Sequence, residues 1–187
     1  RINQNNYYKD SLRTREMLIR GTHKESAQEA KLFIDEQIAE WELAHQNHQA
    51  LENVQTKALN LDHIKFNVQF NPARMVSTGA KLDKASIEKR PCFLCRENQP
   101  KEQKAMEVAG RYNLCVNPFP ILPQHITLPL KSHHPQEFQE GFISDLNKLL
   151  LQLPANYTVF YNGAACGASA PDHFHFQGVP KKYVPLI

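Results

Sequence analysis

The segment His173-Phe174-His175-Phe176-Gln177 sets two imidazoles and a carboxamide at alternate positions. Residues i, i+2 and i+4 of a β-strand share one face. His173, His175 and Gln177 would therefore line up, while Phe174 and Phe176 turn into apolar packing. Such a polar face is a poor core filler, because each group needs a hydrogen-bond partner when buried. A loop of small residues, Asn162 to Ser169, lies just ahead of it. Small side chains let backbone N–H groups close on phosphate oxygens, and the Ser169 hydroxyl adds a donor. A neutral imidazole beside such donors can attack phosphorus. The plainer alternative is a tight turn followed by a strand with two satisfied histidines.

Cys92-Phe93-Leu94-Cys95 is a C-x-x-C pair. Its spacing puts two thiolates on one side of a turn, as a structural zinc needs. The chain has no second such pair, so histidines must complete the set, and His125, His133, His134 and His173 are the candidates. A redox pair or two ordinary thiols are the alternatives. His133 and His134 read as the exposed first turn of a following helix. Cys115 reads as a buried strand residue and Cys166 as a small loop residue. In Asn71 to Lys81, Arg74 and Lys81 flank Ser77-Thr78-Gly79, which suits phosphate contact, although a solvated turn is the commoner meaning. His23, His45, His48 and His63 read as surface residues.

These side chains need a frame. Residues 1 to about 60 read as helical. Ala27, Ala30, Ile34, Ile38, Trp41 and Ala44 form one apolar stripe, and Thr22 with Glu25 has the pattern of a capping box. From Ile64 the period drops to two through Phe66, Val68 and Phe70, a half-buried strand. Further strands are expected over Tyr112–Val116, His125–Leu130, Tyr157–Tyr161 and His173–Val179. A helix is expected over Pro135–Leu153, and Arg96–Arg111 reads as an exposed loop. The fold class is therefore α+β: a mostly antiparallel sheet in residues 61–187, a covering helix, and an N-terminal helical extension in residues 1–60.

Composition narrows the classes. The chain has 187 residues, 41% apolar and 22% charged, which excludes a disordered chain. No stretch approaches the roughly 18 apolar residues of a membrane span. With 22 basic and 19 acidic residues the formal charge is +3, too balanced for nucleic-acid binding but compatible with a small anionic ligand. The start, from Asn3 to Asp10, is polar and unlike a signal peptide. With thiols suited to a reducing compartment, a cytoplasmic location is the expectation.

Together these residues resemble the histidine triad (HIT) superfamily, above all its transferase branch of galactose-1-phosphate uridylyltransferases and diadenosine tetraphosphate phosphorylases. The resemblance runs from about Ile64 to Gln177. It rests on Cys92-Phe93-Leu94-Cys95, on Asn117-Pro118-Phe119-Pro120 followed by Pro123 to Pro129, and on the loop and strand from Gly163 to Gln177. The overall pattern is also similar to that of an uncharacterised bacterial family on the same core. Asp172, between Pro171 and His173, is a departure from the uridylyltransferases, and their second domain is not expected here.

The resemblance implies a HIT-like fold and a nucleotidyltransferase or phosphorylase. In it His175 is the nucleophile, Gln177 holds a phosphate oxygen and Ser169 contacts the distal phosphate. Asn162 and the Gly167 loop place the nucleotidyl group, and Phe93 and Asn117 lie near base and ribose. Arg74 and Lys81 remain candidate phosphate contacts. The implied zinc ligands are Cys92, Cys95, His125 and His173, with zinc as a structural cofactor. The implied partners are a nucleotide sugar or dinucleoside polyphosphate and a phosphate-type acceptor, and the superfamily often forms homodimers. Gln at the third position, where HIT hydrolases generally carry His, favours transfer over hydrolysis. A nucleotide-conjugate hydrolase and a non-catalytic zinc-stabilised nucleotide-binding module are the alternatives.

Overall fold

A computed structural model describes residues 4–72 and 83–184, with 4–21 as backbone only. Helix α1 (Gln4–Glu40) and helix α2 (Glu42–Gln49) come first. Between Lys24 and Leu51 there is no Pro or Gly to break them. The expected stripe supplies the contact face: Ala30, Ile34, Trp41 and Ala44 are buried. The helices part for one residue at Trp41, which is extended at φ −90 and ψ 104. Thr22 is not an N-cap. It lies inside α1, its carbonyl accepting from the Ser26 hydroxyl at 2.9 Å. Gly21 just before it costs a helix about 1 kcal/mol and does not stop it.

Residues 55–61 do not continue the helical region. They form strand β1 (Gln55–Leu61), which pairs antiparallel with β2 (Ile64–Phe70). Asp62 and His63, both at positive φ, make the two-residue turn. The period-two pattern thus finds its strand, but every residue of both strands is exposed, because this two-stranded sheet stands apart from the main one. Gln69 ties it to the body by donating to the Ile121 carbonyl at 3.1 Å.

Helix α3 (Lys84–Lys89) is capped by Asp83, whose carboxylate accepts from the Ser86 N–H. The main sheet contains β3 (Met106–Val108), β4 (Tyr112–Val116), β5 (Ile126–Pro129), β6 (Tyr157–Phe160) and β7 (His175–Pro180). Its order is β3-β4-β5-β7-β6, and every pairing is antiparallel. The fold is α+β, as expected. The segment 96–111 is not an exposed loop, since it carries β3 and buries Gln99, Gln103 and Val108.

Helix α4 (Gly141–Gln152) covers the sheet. It starts six residues later than the periodicity suggests. Upstream, the Gln136 N–H is donated to Pro171 and its carbonyl accepts from the Tyr161 hydroxyl, which takes those groups out of helical bonding. Leu114, Val116, Ile126, Leu128 and Phe176 form a single buried cluster with Ala30 and Ile34 of α1 and Phe142 and Leu149 of α4. Among the described residues no helix is long and apolar enough to cross a membrane.

The register leaves no room for a side chain at Gly178. A Cβ there would lie 3.0 Å and 3.1 Å from Ile126 side-chain carbons and 3.4 Å from the Thr158 carbonyl. Gly178→Val is therefore expected to cost about 1–3 kcal/mol by overpacking, read as a lower urea midpoint.

His48 is half-buried rather than a plain surface residue. Its Nδ1–H donates to the Ala44 carbonyl at 2.8 Å, and its Nε2 is buried without a partner. Desolvation, the largest effect, holds its pKa below the ordinary 6.5. The unfolded chain therefore takes up this proton first as pH falls, and stability declines below about pH 6.5. His48→Gln should flatten the slope of unfolding free energy against pH between 7 and 5.5, measured by urea titration.

Candidate active site and metal centre

The pairing of β5 with β7 decides which histidines can meet the thiols. Pro129 at the end of β5 lies opposite His175 at the start of β7. Beyond these ends the two chains stay together: Leu130 N–H donates to Phe174 at 3.0 Å, and Phe174 N–H donates to His134 at 2.5 Å. His133 is thereby carried beside His173, with ring centroids 5.1 Å apart. One ligand atom each from Cys92, Cys95, His133 and His173 lie within 4.8 Å of one another. This set could hold a metal ion.

The cluster is oriented from outside. His173 Nε2 lies 2.8 Å from the Leu130 carbonyl. A carbonyl only accepts, so Nε2 carries the proton and Nδ1 keeps its lone pair. That Nδ1 is 3.2 Å from Cys92 Sγ and 3.5 Å from Cys95 Sγ, while His133 Nδ1 is 3.3 Å from Cys95 Sγ. The C-x-x-C turn is closed by the Cys95 N–H on the Cys92 carbonyl at 3.2 Å, and Asn98 donates to the same carbonyl at 2.9 Å. Burial pushes the Cys92 thiol up to about 12, so a cation at its sulfur is what would draw the proton off. Asp172 anchors the approach to His173 through Arg90 at 2.6 Å, and the Arg90 guanidinium lies 4.6 Å from the Phe93 ring centroid.

His125 is not part of this set. It precedes Ile126, which pairs with Gly178, five residues along β7 from His173. At about 3.3 Å per residue that is roughly 16 Å. His125 instead contacts Gln177: its Nε2 is 2.9 Å from Gln177 Oε1, and its Nδ1 accepts from the Ile121 N–H at 3.3 Å. A backbone N–H can only donate, so Nε2 carries the proton and Gln177 must turn its oxygen toward it. The Gln177 NH2 is left to face elsewhere. His134 also stays out of the cluster, with Nδ1 donating to the Pro135 carbonyl at 2.8 Å.

His175 and Gln177 share a face of β7, with Thr127 and Phe160 opposite Gln177. His173 falls just before the strand, in the bend that turns its ring to the thiols. His175 is buried, and its Nδ1 lies 2.8 Å from the His173 carbonyl. Nδ1 therefore carries the proton, and Nε2 has the free lone pair. Desolvation is the main cause that lowers the His175 pKa, against the hydrogen bond to His173. The ring is thus neutral at physiological pH.

Asn117 is placed beside this row. Its Nδ2 donates to the Thr127 hydroxyl at 3.3 Å, and its Oδ1 accepts from the Phe119 N–H at 2.9 Å. In the small-residue loop, Ala168 and Ala170 are buried and Ser169 between them is exposed. Gly167, at φ +89, makes the left-handed turn ahead of them. Asn162 is half-buried, and Phe93 is exposed. Arg74 and Lys81 lie outside the described residues. Cys115 is buried, as expected, with its thiol raised to about 11 by desolvation, and Cys166 is exposed.

The family model described as "Domain of unknown function (DUF4922)" matches residues 33–180. The chain belongs to this family. The DUF4922 match runs from α1 to the last residue of β7, so it takes in the Cys92, Cys95, His133 and His173 cluster, His175 and Gln177. No curated protein matches the chain. Among solved structures, it is similar to yeast Ap4A phosphorylase Apa2 in complex with Ap4A (20% identity, TM-score 0.48, covering 82% of this chain and 54% of that one). Against the same enzyme in complex with AMP the values are 22%, 0.46, 82% and 51%. Against a third Apa2 structure they are 23%, 0.48, 76% and 50%. The chain spans about half the length of those proteins.

The geometry makes a sharp distinction between the histidines. His133→Ala is expected to abolish stoichiometric metal binding by the purified protein, as is Cys92→Ser, while His125→Ala leaves the metal in place. Elemental analysis of the three variants checks it, and metal loss in His125→Ala with retention in His133→Ala would reverse the ligand assignment.

Proposed function

We propose that this chain is a nucleotidyltransferase or phosphorylase that works through a covalent nucleotidyl-His175 intermediate. The observation that carries the reading is the state of the His175 ring: Nδ1 is committed to the His173 carbonyl at 2.8 Å, and burial keeps the ring neutral. An imidazole held this way presents Nε2 as a nucleophile. The motif resemblance to the HIT transferase branch supports the same residue.

The step balances as two displacements. His175 Nε2 forms a bond to the α-phosphorus of a nucleotide sugar or dinucleoside polyphosphate, and the P–O bond to the leaving phosphate breaks, its electron pair departing with that oxygen. An oxygen of a phosphate-type acceptor then attacks the same phosphorus, and the P–N bond breaks to restore the lone pair. The growing charge on the phosphoryl oxygens calls for preorganised donors. The Gln177 NH2, turned away from His125, fits that role, with the Ser169 hydroxyl and loop amides around Gly167. Phe93, Asn117 and Asn162 would take the nucleoside and nucleotidyl group, with Arg74 and Lys81 as further phosphate contacts.

Cys92, Cys95, His133 and His173 fit zinc. For bonds of about 2.3 Å to sulfur and about 2.0 Å to nitrogen, a tetrahedron sets S···N edges of about 3.5 Å; three of the four such edges are 3.2, 3.3 and 3.5 Å, and all four ligand atoms lie within 4.8 Å of one another. Four protein ligands leave no open position, so the ion would supply structural support. It would fix His173, whose own carbonyl holds His175.

The test is intact-mass spectrometry of the full chain after exposure to Ap4A and a panel of nucleotide sugars. An acid-labile adduct of one nucleotide's mass is expected, absent in His175→Ala, and discharged by inorganic phosphate faster than by water. An adduct that persists in His175→Ala would overturn the nucleophile assignment. Discharge by water alone would make the protein a hydrolase, and binding without any adduct would make it a binding module.

A further inference from the structure

The sheet is forked beside His175. Strands β6 and β7 pair from Tyr157↔Pro180 to Phe160↔Gln177. Two residues further, the same register would set Asn162 opposite His175. That pairing is not made. The carboxamide of Gln136 stands between the two chains instead. Its Oε1 accepts from the His175 N–H at 2.8 Å, and its Nε2 donates to the His175 carbonyl at 3.0 Å and to the Asn162 carbonyl at 2.7 Å. A carboxamide carries the same donor and acceptor as a peptide unit, so Gln136 does for His175 what a neighbouring strand would do.

β5 cannot serve as an alternative partner for these groups, by geometry. In antiparallel pairing the N–H and C=O of a residue point to the same side, and those of His175 point to Gln136, away from β5. Pro129 faces His175 across β5 as a non-hydrogen-bonded pair, so β5 offers these groups no bond. Without Gln136 both backbone groups of a buried residue would be left without partners in the sheet. Gln136 is itself 1% exposed and is fixed by its own backbone, through the Pro171 carbonyl at 3.0 Å and the Tyr161 hydroxyl at 2.9 Å. It therefore ties together both chains that flank the small-residue loop.

We propose that Gln136 is the positioning residue of the nucleophile, an inference that rests on the His175 reading above. Its carboxamide holds open the fork from which the loop 162–172 springs, and it sets the depth and direction of His175. The ring bond from Nδ1 to the His173 carbonyl cannot do this alone, because it ties His175 to its own strand. Gln136 touches no reacting atom in this scheme, so its removal should slow the chemical step and spare binding.

The test compares wild type with Gln136→Met, which keeps the length of the side chain and loses every hydrogen bond. Amide hydrogen exchange, metal content, AMP binding and single-turnover adduct formation from Ap4A are measured on the same samples. The His175 amide is expected to exchange about tenfold faster. Adduct formation at saturating donor should fall about 100-fold, the order of loss from a misplaced reacting group, with AMP affinity within about threefold and metal retained. Should Gln136→Met not fold, Gln136→Ala takes its place in the comparison. Unchanged His175 exchange in a folded, metal-replete variant would overturn the clamp. An undiminished adduct rate would overturn the positioning role. If wild type forms no adduct, the nucleotidyl reading fails by itself, and with it the positioning role, while the exchange measurement still decides whether Gln136 holds the strand.

Discussion

Much of the site depends on the two-sided commitment of one imidazole. His173 gives its Nε2 proton to the Leu130 carbonyl and turns Nδ1 to the thiols of Cys92 and Cys95. The first bond belongs to the β5 side of the sheet and the second to a turn some eighty residues earlier in the chain. The carbonyl of the same residue receives Nδ1–H of His175. The His173 tautomer, the geometry of the Cys/His cluster and the orientation of His175 are thus linked through a single residue. The Arg90–Asp172 ion pair at 2.6 Å reinforces the same join from the residue before it, which gives the extra Asp172 of this loop a structural task.

Around this join, buried glutamines do the work that regular secondary structure does elsewhere. Gln37 on α1 meets the backbone of Glu102 and Lys104. Gln103 donates to the Val116 carbonyl at 3.3 Å. Gln136 serves His175 and Asn162 as described. A carboxamide is neutral, so it can satisfy buried backbone groups without the desolvation penalty of an ionised side chain. The irregular segments between strands can therefore pass through the interior with their polar groups paired.

Sequence patterns with a period were legible. The stripe from Ala30 to Ala44, the strands at Tyr112–Val116 and Tyr157–Phe160 and the alternation of His175 with Gln177 all follow from side-chain periodicity. The Cys/His cluster was legible only in part. Cys92 and Cys95 announce themselves by spacing and His173 by the family resemblance, whereas the fourth member depends on strand register. His125 and His133 bracket β5 and are alike as residue types. Only the Pro129↔His175 pairing puts one near His173 and the other near Gln177. β1 was hidden because Gln55-Thr56-Lys57-Ala58 carries no apolar alternation. Its partner supplies the pattern for both. Gln136 was invisible for a different reason: a lone glutamine before a helix gives no sign that its amide will stand in for a strand.

The order of the main sheet has a consequence for synthesis. β7 is the last strand among the described residues, yet it lies between β5 and β6. Until residues 175–180 leave the ribosome, those two neighbours have nothing to pair with on their facing edges, and unpaired edges invite association with other chains. The segment that bears the histidines is also the one that closes the sheet. A nascent chain therefore gains the His175–Gln177 face and a closed main sheet in the same event, and a translation product truncated before His173 would have neither.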